Sequence, residues 1–322
     1  MAMPNPSVGA VIVFEGKIIG EGFTAAYGGH HAEVNAINAV LDKSLLSKST
    51  IYVSLEPCSH FGKTPPCCDL IIQFKIPNVV IGTVDSNSKV AGKGIKKLKE
   101  SGVLVTVGIL EKECRESNIR FFTFHEKKRP YIILKWAESQ DGFIAPLPEQ
   151  NQEDKIERKP VWITNSYSRQ LVHKWRSEEQ AILVGTQTVV TDNPKLDVRN
   201  WTGKNPVRIV LDQNNRIPKE SSIFDNAAKT LLITKEIIDF NENLAVNMVK
   251  YLHDNNLQSV IIEGGRHVLQ TFIDANLWDE ARIFKGSVFL YNGTKAPLLN
   301  KTKWKEKNTI QNDELLIYSN HD

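Results

Sequence analysis

Residues 8–14 form an apolar, β-branched run that stops at Glu15-Gly16-Lys17, and a second short run fills 17–22, so the chain opens on a predicted β-hairpin. A Gly-rich loop over 27–30 leads into a helix predicted over 31–41, with Val34, Ile37, Val40 and Leu41 on one face at helical spacing. Residues 50–55 read as a strand. Pro65-Pro66 delay the next helix until Cys67, after which Leu70, Ile71, Ile72 and Phe74 carry it on. Strands at 79–82 and 103–107 flank a helix near 94–100, whose Lys96, Lys97 and Lys99 make a solvated face. This half predicts helices packed on a mixed sheet.

The charged stretch His125-Glu126-Lys127-Lys128-Arg129-Pro130 breaks the pattern and divides the chain into domains 1–127 and 128–322. A strand at 131–136 then meets the turn Ser139-Gln140-Asp141-Gly142. The polar segment 148–159 reads as a surface excursion, 161–164 as a short strand, and 166–176 as a helix with Leu171, Val172 and Trp175 on its apolar face. Apolar strands follow at 181–185, 207–211, 231–234 and 260–263. The last runs through Gly264-Gly265 into a helix over 267–274, where a phosphate can approach unpaired backbone amides. The Gly-x-Gly-x-x-Gly fingerprint of a Rossmann site is absent from the sequence.

At 322 residues the chain has room for two cores. Its 40 basic and 37 acidic residues leave a net charge of +3, which excludes a strong nucleic-acid or membrane field while allowing a local phosphate site. No apolar run reaches bilayer length, and the N-terminus lacks a leader pattern, so the expectation is a cytoplasmic enzyme. The four cysteines are Cys58, Cys67, Cys68 and Cys114, and three of them crowd one region. That is metal usage rather than a disulfide framework.

The chemistry concentrates between His31 and Cys67. His31-Ala32-Glu33 begins the first helix, Cys58 follows a strand end, and Cys67 opens a helix where a thiol ionises readily. One imidazole and two thiolates are zinc ligands that leave a fourth position for water, and a carboxylate two residues from the histidine can carry that water's proton. This is the arrangement of zinc deaminases and points to hydrolytic deamination of an aminopyrimidine. Glu33 is the preferred base on spacing, with Glu56 and His60 nearby; Cys68, a quarter-turn from Cys67, is expected to pack. A nucleoside or tRNA deaminase with a degenerate C-terminal domain is the alternative enzyme, and a non-catalytic zinc scaffold the alternative outside enzymes.

The long gap from Cys58 to Cys67 departs from the usual Pro-Cys-x-x-Cys. Together with Pro4-Asn5-Pro6-Ser7-Val8-Gly9, Glu56-Pro57-Cys58-Ser59-His60-Phe61-Gly62-Lys63-Thr64-Pro65-Pro66-Cys67-Cys68 and Val90-Ala91-Gly92-Lys93-Gly94, it resembles the bifunctional riboflavin-biosynthesis deaminase-reductases. Similar matches in the second half are Leu134-Lys135-Trp136-Ala137-Glu138-Ser139-Gln140-Asp141-Gly142, Trp162-Ile163-Thr164, Val172-His173-Lys174-Trp175-Arg176, the stretch from Thr188 through Asp192-Asn193-Pro194-Lys195-Leu196-Asp197-Val198-Arg199, and Glu263-Gly264-Gly265. The resemblance implies a cytidine-deaminase-like α/β/α sandwich followed by a dihydrofolate-reductase-like α/β domain, zinc and NADPH as cofactors, a phosphorylated pyrimidine as substrate, and a homodimer. It implies His31, Cys58 and Cys67 as zinc ligands, Glu33 as proton shuttle, and Asn5, His60 and Lys63 as substrate contacts. In the reductase half it implies Ala137, Trp162, Thr188, Asp192, Gln213 and the turn Gly265-Arg266-His267-Val268-Leu269-Gln270-Thr271 as NADPH contacts. Arg176, Leu196, Arg199 and Glu263 would meet the phosphorylated substrate, the arginine fork matching phosphate oxygens, and Lys135 and Asp192 would handle protons.

Three departures stand out. The family carries a helix ahead of the Pro-Asn-Pro segment, where this chain begins almost at that segment, so apolar sheet surface is expected to be exposed. The family's Asp-Pro-Asn-Pro is Asp85-Ser86-Asn87-Ser88 here. Pro160 stands where a serine would touch substrate.

Overall fold

The computed structural model describes residues 4–61, 65–86, 91–146, 161–300 and 302–320. Lys63, Pro160, the segment 148–159 and motif positions 62, 64, 87, 88 and 90 lie outside the described residues. The chain forms two compact units, Met1–Lys128 and Arg129–Asp322.

In the first unit β1 (Gly9–Phe14) and β2 (Lys17–Phe23) form the hairpin, closed by Glu15 and Gly16 at φ 48° and 74°. Two consecutive left-handed residues make the loop whose twist matches paired strands. Then come α1 (Ala32–Ala39), a 3-10 turn over Lys43–Lys48, β3 (Thr50–Leu55), α2 (Cys67–Gln73), β4 (Asn78–Thr83), α3 (Lys93–Glu100), β5 (Leu104–Val107), α4 (Glu111–Ser117) and α5 (Ile119–Glu126). The sheet runs β2-β1-β3-β4-β5, antiparallel through β1 and parallel from β3 onward. Gly20 and Gly22 allow α1 to lie directly on β2, since a Cβ at Gly22 would run into the backbone of Ala32 and Ala36. That contact fixes the start of α1, where His31 is N-cap.

The buried face of α1 differs from expectation. Ala32, Glu33, Ala36 and Ile37 face the core, while Val34 is half-buried and Leu41 fully exposed. The helix ends at Ala39 and Val40 is extended, so Leu41 no longer follows the helical repeat. Lys97 pairs with Asp69, so the lysine face of α3 is solvated but not idle.

The second unit contains β6 (Tyr131–Glu138), β7 (Phe143–Ala145), α6 (Ser166–Glu178), β8 (Ala181–Gly185), α7 (Thr186–Asp192), β9 (Val207–Leu211), β10 (Thr230–Ile233), α8 (Leu244–Asp254), β11 (Ser259–Ile262), α9 (Arg266–Asp274), β12 (Glu280–Lys285), β13 (Thr294–Lys295), β14 (Thr302–Ile310) and β15 (Asp313–Asn320). Its eight-stranded sheet runs β10-β9-β8-β11-β6-β12-β15-β14, parallel from β10 to β12 with the β14–β15 hairpin antiparallel at the edge. Buried Trp278, Phe272, Leu183, Val260 and Ile262 belong to its main core. Both units are the mixed α/β architectures expected, a deaminase-like sandwich and a reductase-like open sheet.

Residues 161–164 are not a strand. Val161 and Trp162 are exposed, Ile163 is buried against Gly286, and no ladder forms. The Arg169 guanidinium sits 4.6 Å over the Trp162 ring. The apolar run faces a cavity rather than a sheet.

Candidate functional site

In the first unit three elements converge. His31 caps α1, Cys58 lies just beyond the carboxyl end of β3, and Cys67 begins α2. His31 Nδ1 lies 3.5 Å from Cys58 Sγ and 3.3 Å from Cys67 Sγ. A tetrahedral zinc with ordinary Zn–N and Zn–S lengths holds such atoms about 3.6 Å apart. The donor set and its spacing therefore fit zinc.

These atoms share protons with one another. The thiol of Cys67 and the imidazole of His31, bonding to Cys58, pull the Cys58 thiol down to about 4 against the effect of burial. Cys67 is pushed up, first by that bond to Cys58 and then by burial, and His31 is raised by its bond to Cys58. Glu33, only 4 % exposed, is pushed up to about 7, chiefly by burial with the Cys58 charge adding. A carboxyl poised near neutrality suits proton transfer in both directions. Cys68 packs as expected: its S–H donates to the carbonyls of Pro57 (3.3 Å) and Gly94 (3.6 Å), and burial pushes it up to about 12.

Glu56 has a different task from Glu33. Its carboxylate accepts backbone N–H groups from Gly92 (2.9 Å), Gly94 (2.9 Å), Ile95 (3.2 Å) and Asp85 (3.3 Å), closing the start of α3. A Cβ on Gly94 would meet the Pro57 carbonyl, so this glycine lets α3 press against the Pro57-Cys58 segment. His60 is exposed and Asn5 half-buried, and among the described residues no hydrogen bond joins either to the zinc ligands.

In the second unit a cavity of about 2290 Å³ opens among the ends of β6, β8, β9 and β11. The sequence candidates Lys135, Ala137, Trp162, Arg176, Thr188, Asp192, Leu196, Arg199, Gln213, Glu263, Gly265, Arg266, His267, Val268, Leu269 and Gln270 line it. Thr271 does not; its hydroxyl bonds back to the His267 carbonyl at 2.8 Å, one turn down α9. Because Leu134 pairs with Ile262 across β6 and β11, the next residues, Lys135 and Glu263, fall side by side, with Nζ 3.6 Å from Oε2.

Arg176 Nε and Nη2 grip Glu263 at 3.0 and 2.9 Å. Burial opposes the Glu263 charge, but Arg176 and Lys135 outweigh it and hold the carboxyl at about 2. Lys135 is lowered, because its burial exceeds the help from Glu263. Arg176 is thus committed to Glu263, and its remaining Nη1 reaches the Asp197 carbonyl at 3.3 Å. Asp192 ends α7, exposed at the cavity rim.

Residues 130–313 match the family described as the RibD C-terminal domain, and residues 1–83 match the cytidine and deoxycytidylate deaminase zinc-binding region. A riboflavin biosynthesis protein RibD from Aquifex aeolicus is 40% identical over 297 residues, covering 87% of this chain and 80% of the relative. The chain belongs to the RibD family. The RibD of Chlamydia pneumoniae is 39% identical over 317 residues, with 91% of this chain and 79% of the relative covered. The crystal structure of the Thermotoga maritima diaminohydroxyphosphoribosylaminopyrimidine deaminase/5-amino-6-(5-phosphoribosylamino)uracil reductase superposes with a TM-score of 0.87 at 34% identity, covering 99% of this chain and 93% of that one. Acinetobacter baumannii RibD gives 0.86 at 28% identity, covering 100% and 94%.

Sequence reasoning missed two residues that shape the cavity. His173, three positions before Arg176 on α6, lines it. Arg208, the second residue of β9, is fully buried and donates to the carbonyls of Lys195 (3.1 Å), Asp225 (2.7 Å) and Ala228 (2.6 Å), to Asp225 Oδ1 (2.7 Å) and to Thr230 Oγ1 (3.0 Å). It ties down the loop that places Leu196, a buried leucine held at φ 51°. The i,i+3 spacing of His173 and Arg176 was a readable signal; an arginine inside an apolar strand was not.

Proposed function

We propose that the chain is a bifunctional enzyme of riboflavin biosynthesis. Its first unit hydrolyses an exocyclic amine from a phosphoribosylated diaminopyrimidinone, and its second reduces the ribosyl group of that product to ribityl with NADPH. The observation that carries the reading is the convergence of His31, Cys58 and Cys67 beside buried Glu33 in a chain of this family.

His31, Cys58 and Cys67 would hold zinc, which when bound would acidify a water molecule for attack on the ring. Glu33 takes a proton from the attacking water and returns it to the departing nitrogen, so ammonia leaves, and the hydroxyl left on the ring carbon passes its own proton to the neighbouring ring nitrogen to become a carbonyl. Burial keeps the carboxyl able to do both. Glu56 holds the Pro57-Cys58 segment against α3 and moves no proton.

The cavity of about 2290 Å³ exceeds the roughly 300–1,000 Å³ of a single-ligand pocket, which suits a dinucleotide and a phosphosugar together. Residues lining the cavity, among them Ala137, Thr188 and the turn from Gly265 to Gln270, would hold NADPH, which when bound would supply hydride for the first carbon of the opened ribose. Lys135 Nζ, buried with its ammonium weakened, is placed to give the accompanying proton, with Glu263 and Arg176 fixing it. Arg199, exposed on the cavity wall, is the freer of the two arginines for the phosphate. An intact cavity with these groups favours two activities over a deaminase with a degenerate second unit.

The test is to supply the diaminopyrimidinone and NADPH to purified protein and follow ammonia release and NADPH oxidation together. The reading expects both, ammonia first; NADPH oxidation without ammonia, or neither signal, refutes it. A homodimer in the cytoplasm completes the proposal, and light scattering giving a monomer mass would refute the dimer. Among the described residues no helix is long and apolar enough to cross a membrane.

A further inference from the structure

His173 is a buried titratable group that the mechanism above does not use. It is 4 % exposed, sits one turn before Arg176 on α6, and lines the reductase cavity. Its Nδ1 lies 2.8 Å from the Asp197 carbonyl oxygen. A carbonyl can only accept, so Nδ1 carries the proton and a neutral ring presents its lone pair at Nε2. Nε2 has no partner among the described residues, and it is not one of the buried side-chain atoms left unpaired, so it is open to the cavity.

The charged groups facing it are Arg176 on its own helix, Asp197 and Arg199 on the following loop, and Glu263 at the end of β11. Burial and Arg176 both keep the imidazole neutral. Lys135 and Arg176 offer only donors, and Glu263 is taken up by both of them. A ribose chain brings hydroxyl groups that must donate as well as accept, and beside His173 the cations Lys135 and Arg176 leave those protons without partners.

We infer that His173 is a substrate-contacting residue of the reductase site, with Nδ1–H anchored on Asp197 and Nε2 accepting a hydrogen bond from a hydroxyl of the phosphorylated ribose chain. The inference rests on the reductase reading proposed above. It assigns His173 to recognition of the sugar, not to NADPH.

Two variants separate this from a purely structural role. H173N keeps an N–H near the Nδ1 position and loses the Nε2 acceptor; H173Q puts an amide oxygen near Nε2 and loses the Asp197 anchor. With pre-deaminated substrate, H173N is expected to raise the KM for the pyrimidine about five- to tenfold, the worth of one neutral hydrogen bond, with the KM for NADPH unchanged and H173Q closer to wild type. The reverse order, or equal KM values in all three proteins, overturns the inference. A measurement on wild type alone stands beside it: in histidine-15N-labelled protein, the Nε2 signal of His173 shifts when pyrimidine is added without NADPH, and an unmoved signal overturns the assignment. Wild type that fails to oxidise NADPH with this substrate overturns the reductase reading and the inference together. Normal wild-type turnover with the reverse variant order overturns the inference alone.

Discussion

Replacing Glu56 by glutamine tests the division of labour between the two glutamates of the first unit. Glu56 is 4 % exposed and its two oxygens receive four backbone N–H groups, two on each. The amide introduced by Glu56→Gln keeps one accepting oxygen and turns an N–H₂ toward two N–H donors, so two bonds to a carboxylate become donor–donor conflicts. Hydrogen bonds to a charged group are worth about 1.5–3 kcal/mol each before relaxation, and losing two with partial rearrangement gives about 2–4 kcal/mol. For a unit of this size that is roughly a 7–15 °C fall in melting temperature. The assay is thermal unfolding of the zinc-loaded chain with metal content measured in parallel. Zinc affinity is expected to fall as well, because α3 no longer braces the segment carrying Cys58. NADPH oxidation with pre-deaminated substrate should stay within twofold, since all four partners lie in the first unit. A Glu56→Gln protein with unaltered melting and zinc affinity but no ammonia release would refute the reasoning and make Glu56 the proton carrier.

The other predictions follow from the same geometry. Glu33→Gln is expected to keep zinc and lower ammonia release by about 10²–10⁴-fold, measured by coupled ammonia assay and metal analysis; chelating the zinc should stop ammonia release and leave reduction of pre-deaminated substrate intact. Glu263 is held at about 2 against a usual value of 4.5, so its charge stabilises the second unit above pH 4.5 and that contribution, about 3 kcal/mol, is lost as pH falls toward 2. Acid denaturation of Glu263→Gln should lack this component, and an unchanged acid midpoint would count against the buried pair. Arg208→Met leaves the carbonyls of Lys195, Asp225 and Ala228 without their buried donor and should cost about 3 kcal/mol or more, read as a lower urea midpoint together with weaker substrate binding through the Leu196 loop.

Much of the fold is legible because its signals are local. The β-branched runs at 50–55, 181–185 and 207–211 coincide with β3, β8 and β9; β8 and β9 are buried almost throughout, as central parallel strands are, and β3 alternates buried with open positions. The zinc ligands are legible for a related reason: each stands at an element end that a proline or polar turn announces. The β14–β15 hairpin escaped because Thr302–Ile310 is polar and almost wholly exposed, so no alternation marks it. Val161 and Trp162 misled in the opposite sense, since an apolar pair lining a cavity looks like an apolar pair in a sheet. Glu56 illustrates the deeper limit. Its partners lie 29 to 39 residues downstream, and nothing in its own neighbourhood distinguishes a brace from a base.

Both sites obey one geometric rule. In each sheet the chemistry gathers where parallel strands end, with Glu56 and Cys58 just past β3 and Glu263 just past β11 beside Lys135 on β6. Strand ends in open α/β sheets leave a crevice in which loops from neighbouring strands can be brought together. The two units use that crevice differently. The first fills it with soft ligands and two buried carboxyls, of which Glu56 is taken up by backbone N–H groups and Glu33 is left beside the ligands, which suits one metal ion and a flat ring. The second leaves it wide and lines it with a carboxylate already neutralised by Arg176 and Lys135. A phosphosugar entering that space meets positive charge that is fixed in place before it arrives, so little reorganisation accompanies hydride transfer. The same fixation explains why an unpartnered acceptor such as His173 Nε2 matters. Beside the immobilised donors Arg176 and Lys135, a free acceptor helps decide which hydroxyl-bearing chain can be seated.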